Sequence, residues 1–165
     1  AERTGLPNIR SSIEAADALT TDAAVKMYEK FGIFTRKELE SRQEIIYETY
    51  AKSINIEALT MIEMAGKQII PAVIKYSRML ADTVNSVKAA GGDASVESEQ
   101  LHEVSTRLVS MQKSLKELRT EEKKASSIKD QRKQAFYYKD KVNTAMEKLR
   151  KPADELDTHI WRSDV

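Results

Sequence analysis

The 165-residue chain has no cysteine. That excludes disulfides, thiolate metal sites and thiol nucleophiles, and it fits a reducing compartment. Glycine and proline are scarce, five and three residues, so regular structure is rarely interrupted and its elements must be long. Aromatics make up only 6% of the chain, which leaves little for a base-stacking platform. Charge of either sign is not in excess: 27 Lys and Arg face 26 Asp and Glu, for a formal net charge of +1. No global field therefore draws in nucleic acid or an anionic membrane, and neither is expected as a partner. No apolar run approaches the roughly 20 residues of a membrane span. The first residues, Ala1 to Gly5, lack the apolar stretch of a signal peptide, and the missing initiator Met reads as a fragment boundary or a processed chain. Glycine-rich phosphate loops and the G-x-S-x-G nucleophile turn are also missing.

Charged residues, by contrast, make up 32% of the chain, a long-helix or coiled-coil composition in a length suited to one domain. Residues 1–34 are the least regular part. Leu6-Pro7-Asn8 reads as a turn, and Ser12 to Leu19 as a short helix. Thr21 can cap another helix from Asp22 to Phe31, stopped by Gly32, which can take the left-handed conformation. Thr35-Arg36-Lys37-Glu38 is a capping box, with Phe34 and Leu39 as its hydrophobic staple. The helix it starts meets no strong stop before Gly91-Gly92, a run of roughly 55 residues or about 80 Å. Pro71 lies inside that run and predicts a kink, eased by Gly66.

A second helix is expected from about Ala94 to Lys124. Its Leu101, Val104, Leu108, Met111, Leu115 and Leu118 alternate by 3 and 4 as an a/d seam. After a break at Ser126-Ser127, Ala135, Tyr138, Val142, Ala145, Leu149, Pro152 and Leu156 repeat that spacing, with a kink or restart expected at Pro152. Short connections make such helices antiparallel neighbours. The predicted fold is therefore all-α: an antiparallel three-helix bundle with one very long, Pro-kinked first helix and short N-terminal helices. Folding about Ser126-Ser127 pairs Leu118 with Ala135 and Val104 with Leu149. In that register Thr35 to about Ala65 overhangs the bundle by roughly 45 Å. Its stripe of Leu39, Ile46, Tyr50, Ile54, Met61 and Ile62 must then be covered by something. Residues 12–31 can fold back over the nearest part. Met61 and Ile62, with Phe136 or Tyr137 close by, are expected to form the largest exposed apolar patch and are the candidate interface.

No catalytic constellation emerges. Glu99-x-x-His102 has the i, i+3 spacing used by carboxylate-bridged di-metal bundles, but such sites need two of these motifs. The other histidine, His159, has Leu156 in place of the Glu. The pair reads as a surface pair, and no metal is expected. Glu40, Glu44 and Glu48 form a ladder on a single helix, which offers no convergent geometry and reads as a solvated or interface face. Basic residues around Lys113 to Lys124 and Lys139 to Lys151 interleave with acidic ones, as on a helix surface laced with i, i+4 pairs.

Several collinear stretches resemble the C-terminal part of type III glutamine synthetases. The most distinctive is AVKMYEKFGIFTRKELESR (24–42). It is followed by EIIYETYAKSINIEALTMIEMA (44–65), IIPA (69–72), QAFYYKDKV (134–142) and PADELD (152–157). The resemblance spans roughly residues 22–157; the glycine turn and heptad helix between the matching stretches add little. It implies a parent enzyme that joins glutamate and ammonia using ATP and Mg or Mn, through a γ-glutamyl phosphate, in a large ring-shaped homo-oligomer of the cytoplasm. It further implies that the metal-, nucleotide- and glutamate-binding residues lie upstream, so that no catalytic or cofactor-binding residue is carried onto this chain and the segment itself binds no cofactor. Residues 1–34 are then expected to be short helices at the trailing edge of the upstream catalytic domain, and 35–165 the bundle. The expected partners are that catalytic domain and neighbouring subunits. The family's tail usually contains Trp-Pro, whereas Trp161 here is followed by Arg162. The expected role is a non-catalytic domain serving subunit architecture. The rival reading is a free-standing helical-bundle adaptor or signalling coiled coil, and a weaker one is a ferritin-like metal protein.

Overall fold

A computed structural model describes Ile9 and residues 11–160, with only the backbone for 157–160. The turn expected at Leu6-Pro7-Asn8, the His159 side chain and the tail from Trp161 lie outside the described residues. Among those residues there are five helices and no strand. Helix α1 is Ser12–Leu19 and α2 is Asp22–Lys30. Helix α3 is continuous over 54 residues: Arg36–Met64, a π-helical turn Ala65–Ile69, and Ile70–Ala89. Helix α4 is Ser95–Ser126. Helix α5 comprises Gln131–Tyr137, a π turn Tyr138–Val142, and Asn143–Ile160.

The local signals explain these boundaries. The Ser11 and Thr21 side chains accept from the amides of Glu14 and Ala24. At α3 both halves of the expected box form: the Thr35 hydroxyl accepts from the Glu38 amide, and the Glu38 carboxylate accepts from the Thr35 amide at 2.7 Å. Helix α2 ends in a Schellman motif, with Ile33 N–H on the Tyr28 carbonyl, Gly32 N–H on that of Glu29, and Gly32 at φ 64°. Gly91, at φ 79°, closes α3 in the same way. Phe34 lies 4.2 Å from the Arg42 guanidinium and 5.7 Å from the Tyr28 ring.

At Pro71 the chain does not stop. One residue earlier the Ile70 amide reaches back to the Ala65 carbonyl, five residues away. The wider turn adds a residue to the repeat. Buried Ala51, Ala58 and Ala65 are seven apart, the next step to Val73 is eight, and Leu80 follows at seven. The π turn thus brings the buried face back into phase after the proline region. Pro152 is buried inside a helix that continues through it.

Two apolar clusters hold the helices. The main one joins α3, α4 and α5 through Ala51, Ala58, Ala65, Val73, Leu80, Val104, Met111, Leu115, Leu118, Val142, Ala145 and Leu149, among others. The smaller one joins Ile13 and Ala16 of α1, Tyr47 of α3 and Ala135 of α5.

Between α4 and α5 the polar contacts run from Gln134 to the Ala125 carbonyl (3.1 Å), Tyr137 to Glu121 (2.6 Å), Lys148 to Glu117 (2.7 Å) and Glu155 to Arg107 (3.5 Å). Residue numbers rise on one helix as they fall on the other. The pairing is displaced by about one heptad from Leu118 against Ala135. The cause is the connection, which spans residues 127–130 and is not centred on Ser126-Ser127. Ala135 accordingly sits in the smaller cluster.

The stretch of α3 expected to overhang the bundle is met by other helices of the chain. Helix α5 starts far enough along α3 for Asn143 to bond the Tyr50 hydroxyl at 3.2 Å and for Ala135 to pack with Tyr47. Helix α1, not α2, lies over this stretch of α3.

Candidate functional site

The sequence-predicted chemical groups are dispersed. Glu99 and His102 are both exposed on α4. Glu40 and Glu44 are exposed, and Glu48 pairs with Lys52 at 2.6 Å. Among the described residues no three His, Cys, Asp or Glu side chains converge as a metal site, and no helix is long and apolar enough to cross a membrane. Several of the basic residues are paired: Lys148 with Glu117, Lys124 with Glu121 at 2.8 Å, Arg150 with Asp154 at 3.3 Å, and Lys139 with Glu14. Lys124 and the Tyr137 hydroxyl together hold the Glu121 carboxyl below its ordinary range.

The four candidate interface residues are half-buried and divide between the clusters. Met61, Ile62 and Tyr137 pack on the main core, Phe136 on the smaller one. Met61 and Ile62 are therefore not the most exposed apolar residues. Phe31 (68% exposed) and Ile33 (56%) flank Gly32 at the end of α2. On α3, Ile45, Ile56 (65%) and Leu59 are exposed. They are eleven and three residues apart, which places them on one face of a regular helix. Helix α3 thus buries a side centred on alanines and carries three large apolar residues on an outward side, interspersed with the Glu48–Lys52 and Glu63–Lys67 pairs.

Met61 also helps line a groove between α3 and α5. Met64, Ala65, Ile69, Leu149 and Ala153 complete it, with Arg150 and Asp154 at its rim, in a volume of about 260 Å³. Asn143 and Met146 extend it alongside Met61. Thioether side chains adapt to varied apolar partners, so the arrangement suits packing against another surface and offers no bond-making group.

A polar cluster missed by sequence reasoning joins α1, α3 and α5. The Asp17 carboxylate accepts from Arg132 Nε at 2.9 Å and Nη2 at 2.7 Å, and from the Tyr47 hydroxyl. Gln43 donates to the Ala16 carbonyl at 2.9 Å and to the Thr20 hydroxyl at 3.1 Å. The Arg132 guanidinium also lies 4.8 Å from the Phe136 ring centre. The Arg132 bonds, followed by that from Tyr47, hold the Asp17 carboxyl below its ordinary value against an opposing effect of burial. Burial, then the bond to Asp17, pushes the Tyr47 phenol up to about 12. Asp17 and Arg132 are 115 positions apart, and no periodicity links them. The available signal was a Tyr one position off the expected stripe.

A family model described as the glutamine synthetase C-terminal domain matches residues 1–88. Over 162 residues, 97% of its length, the chain is 33% identical to a glutamine synthetase of Butyrivibrio fibrisolvens, of which it covers 23%. It is 36% identical over 87 residues to a type-3 glutamine synthetase of Dictyostelium discoideum, covering 53% of this chain and 12% of that one. A glutamine synthetase of Bacteroides fragilis is 25% identical over 171 residues, with coverage of 98% and 24%. The chain spans at most about a quarter of the length of these curated relatives.

Proposed function

The chain belongs to the family of glutamine synthetase C-terminal domains, and on that premise we propose that it is the non-catalytic helical domain of a type III glutamate–ammonia ligase. Its role is subunit architecture: it holds the catalytic part of the parent enzyme, or a neighbouring subunit, in place. The parent reaction, with its ATP and Mg or Mn, belongs to the other three-quarters of such an enzyme, in the cytoplasm. Helices α3, α4 and α5 serve as an antiparallel three-helix scaffold over 35–165. The short helices of 1–34 are the stretch through which the preceding catalytic domain joins it.

The observation that carries this reading is the recurrence of exposed large apolar residues on the outward face of α3. Ile45, Ile56 and Leu59 are exposed on one outward face, and large apolar side chains recurring there among the Glu48–Lys52 and Glu63–Lys67 pairs suit a covering surface that is part apolar and part polar. The Met61 groove opens on another side of the same helix. We include Met61 in the interface, with Ile62, Phe136 and Tyr137 supporting it from the core side. A free-standing adaptor would also need its apolar face covered, but by a partner unrelated to a ligase.

The test is made in the full-length enzyme. Ile56→Glu with Leu59→Lys leaves the buried alanine seam intact, so the helical circular dichroism of the isolated chain should be unchanged. Sedimentation of the parent enzyme should then show smaller assemblies with lower activity per chain. Unaltered assembly would reject this face as the interface. Glutamine formation by the isolated 165-residue chain would reject the non-catalytic role.

A further inference from the structure

Helix α1 differs from the other elements in how it is held. It is eight residues long, well below the length at which an isolated helix is stable in water. Its two buried side chains, Ile13 and Ala16, meet Tyr47 and Ala135 in a cluster separate from the main core. Its remaining attachments are polar. Asp17 receives Arg132 and Tyr47, Glu14 pairs with Lys139, and Gln43 reaches the Ala16 carbonyl near the helix end. Along the chain it is followed by α2, which buries one residue, Val25, and meets the start of α3 through an exposed Arg36–Asp22 pair at 2.9 Å, the Glu29 carboxylate accepting from the Arg36 amide at 3.2 Å, and the Tyr28 and Phe34 rings. Gly32, at positive φ, forms the joint between this pair of short helices and α3.

We propose that α1 is a latch: it docks on and releases from the seat formed by α3 and the start of α5 while the main core stays folded. Release costs the small cluster and the bonds converging on Asp17, but none of the contacts among Val104, Met111, Leu115, Leu118, Val142 and Leu149. Elements with few buried apolar contacts open locally, at free energies below that of global unfolding. The open state uncovers Tyr47 and Ala135 beside two cations, Arg132 and Lys139. That surface suits a short acidic amphipathic helix, which is what α1 is, with Ile13 and Ala16 apolar and Glu14 and Asp17 acidic. The latch does not depend on the ligase assignment, because every contact in it lies within this chain.

Residue-resolved hydrogen exchange on the full chain tests it. In the wild type, amides of residues 16–19 should exchange with a weak dependence on denaturant, while those of 104–118 follow the steep dependence of global unfolding. In Asp17→Asn, exchange of 16–19 should quicken by about tenfold or more, the scale of a lost charge-assisted bond, with 104–118 changed by less than about twofold. Adding Asp17→Asn to Arg132→Ala should quicken α1 by less than Asp17→Asn does alone, since the two share the Arg132 contact. Asp82→Asn, in the exposed Arg78–Asp82 pair at 3.8 Å, is the control and should change neither region. The proposal is overturned if α1 and 104–118 share one denaturant dependence in the wild type, or if Asp17→Asn leaves α1 at wild-type rates. Should a variant fail to fold, the wild-type measurement decides alone.

Discussion

The two apolar clusters are built differently. The main one has 15 buried residues drawn from three long helices, and most of its members are aliphatic. The smaller one has four buried residues, and polar bonds to Asp17, Glu14 and Gln43 surround it. Non-directional burial suffices where many side chains share it. A small contact needs directional bonds as well, both for strength and for fixing one orientation. The first kind of cluster should fail cooperatively, the second by local release.

The largest effect should come from the main core. Met111 is fully buried, whereas Leu108, which the seam spacing puts at the bundle's centre, is only half-buried. Met111→Ala should cost about 2–5 kcal/mol, the usual range for emptying a core site. Leu108→Ala should cost less, because solvent already reaches it. Urea denaturation followed by circular dichroism checks both, and equal losses would mean the register is misjudged.

The smaller cluster should respond to pH at both extremes. The folded-state pKa of Asp17 is lowered, so its stabilisation is fully present above the ordinary 3.8 and is lost as pH falls through the folded value. Tyr47 has the opposite sign. Its phenol is raised from 10 to about 12, so its contribution is complete below pH 10 and is lost as pH rises toward 12. Limited proteolysis near Thr20-Thr21 should accelerate as pH drops below about 4, and Asp17→Asn should weaken that dependence, leaving the part due to the Glu14–Lys139 pair. In an ultraviolet titration Tyr47→Phe should remove a step near pH 12. If the step remained in Tyr47→Phe, the phenol that titrates there would be another one.

A cap should matter less than either. Thr35→Ala removes the acceptor for the Glu38 amide at the start of α3, for a loss of about 1 kcal/mol in thermal denaturation. Glu38→Ala should cost less, because the Thr35 hydroxyl still accepts from the backbone amide.

Much of this fold was legible because its punctuation is local. Ser12 to Leu19, the Thr21 cap, the Thr35 box and the Gly32 and Gly91 stops all lie within a few residues of the groups they bond. The two seams on α4 and α5 were legible because their spacing is repeated. The register between them was not. Heptads match equally well one repeat along, and only the length of the 127–130 connection distinguishes the alternatives. The stripe on α3 was legible as a buried side, with Leu39 buried and Ile46, Tyr50, Ile54, Met61 and Ile62 packed on the clusters, but its centre was not. Large apolar residues marked Ile46, Ile54 and Met61, whereas its centre is Ala51, Ala58 and Ala65, which allow the helices to approach closely. The expected overhang is met instead by α1 and the start of α5, and Met61 and Ile62 are half-buried against the main core. The Asp17–Tyr47–Arg132 cluster joins three distant stretches and has no one-dimensional signature.

The smallest effect expected is at Gly66, and it tests how tightly the main core closes around the π turn. Glycine inside a helix is about 1 kcal/mol less favourable than alanine, so Gly66→Ala should stabilise α3 unless the new methyl group meets something. A Cβ built there would lie 3.0 Å from Arg119 Nη2 and 3.8 Å from Leu115 Cδ2. The leucine distance is ordinary contact. The arginine is close, but the nearby atom is the free end of an exposed, flexible side chain that can swing aside. The gain in propensity and the displacement of Arg119 should nearly cancel, leaving stability within about 0.5 kcal/mol of wild type. Arg119→Ala should then make Gly66→Ala clearly favourable, because it removes the opposing contact. A loss above about 1 kcal/mol for Gly66→Ala that persists in Arg119→Ala would show that the π turn itself needs glycine. The obstacle would then be the backbone, and this part of the main core would be as specific in its geometry as the polar cluster under α1.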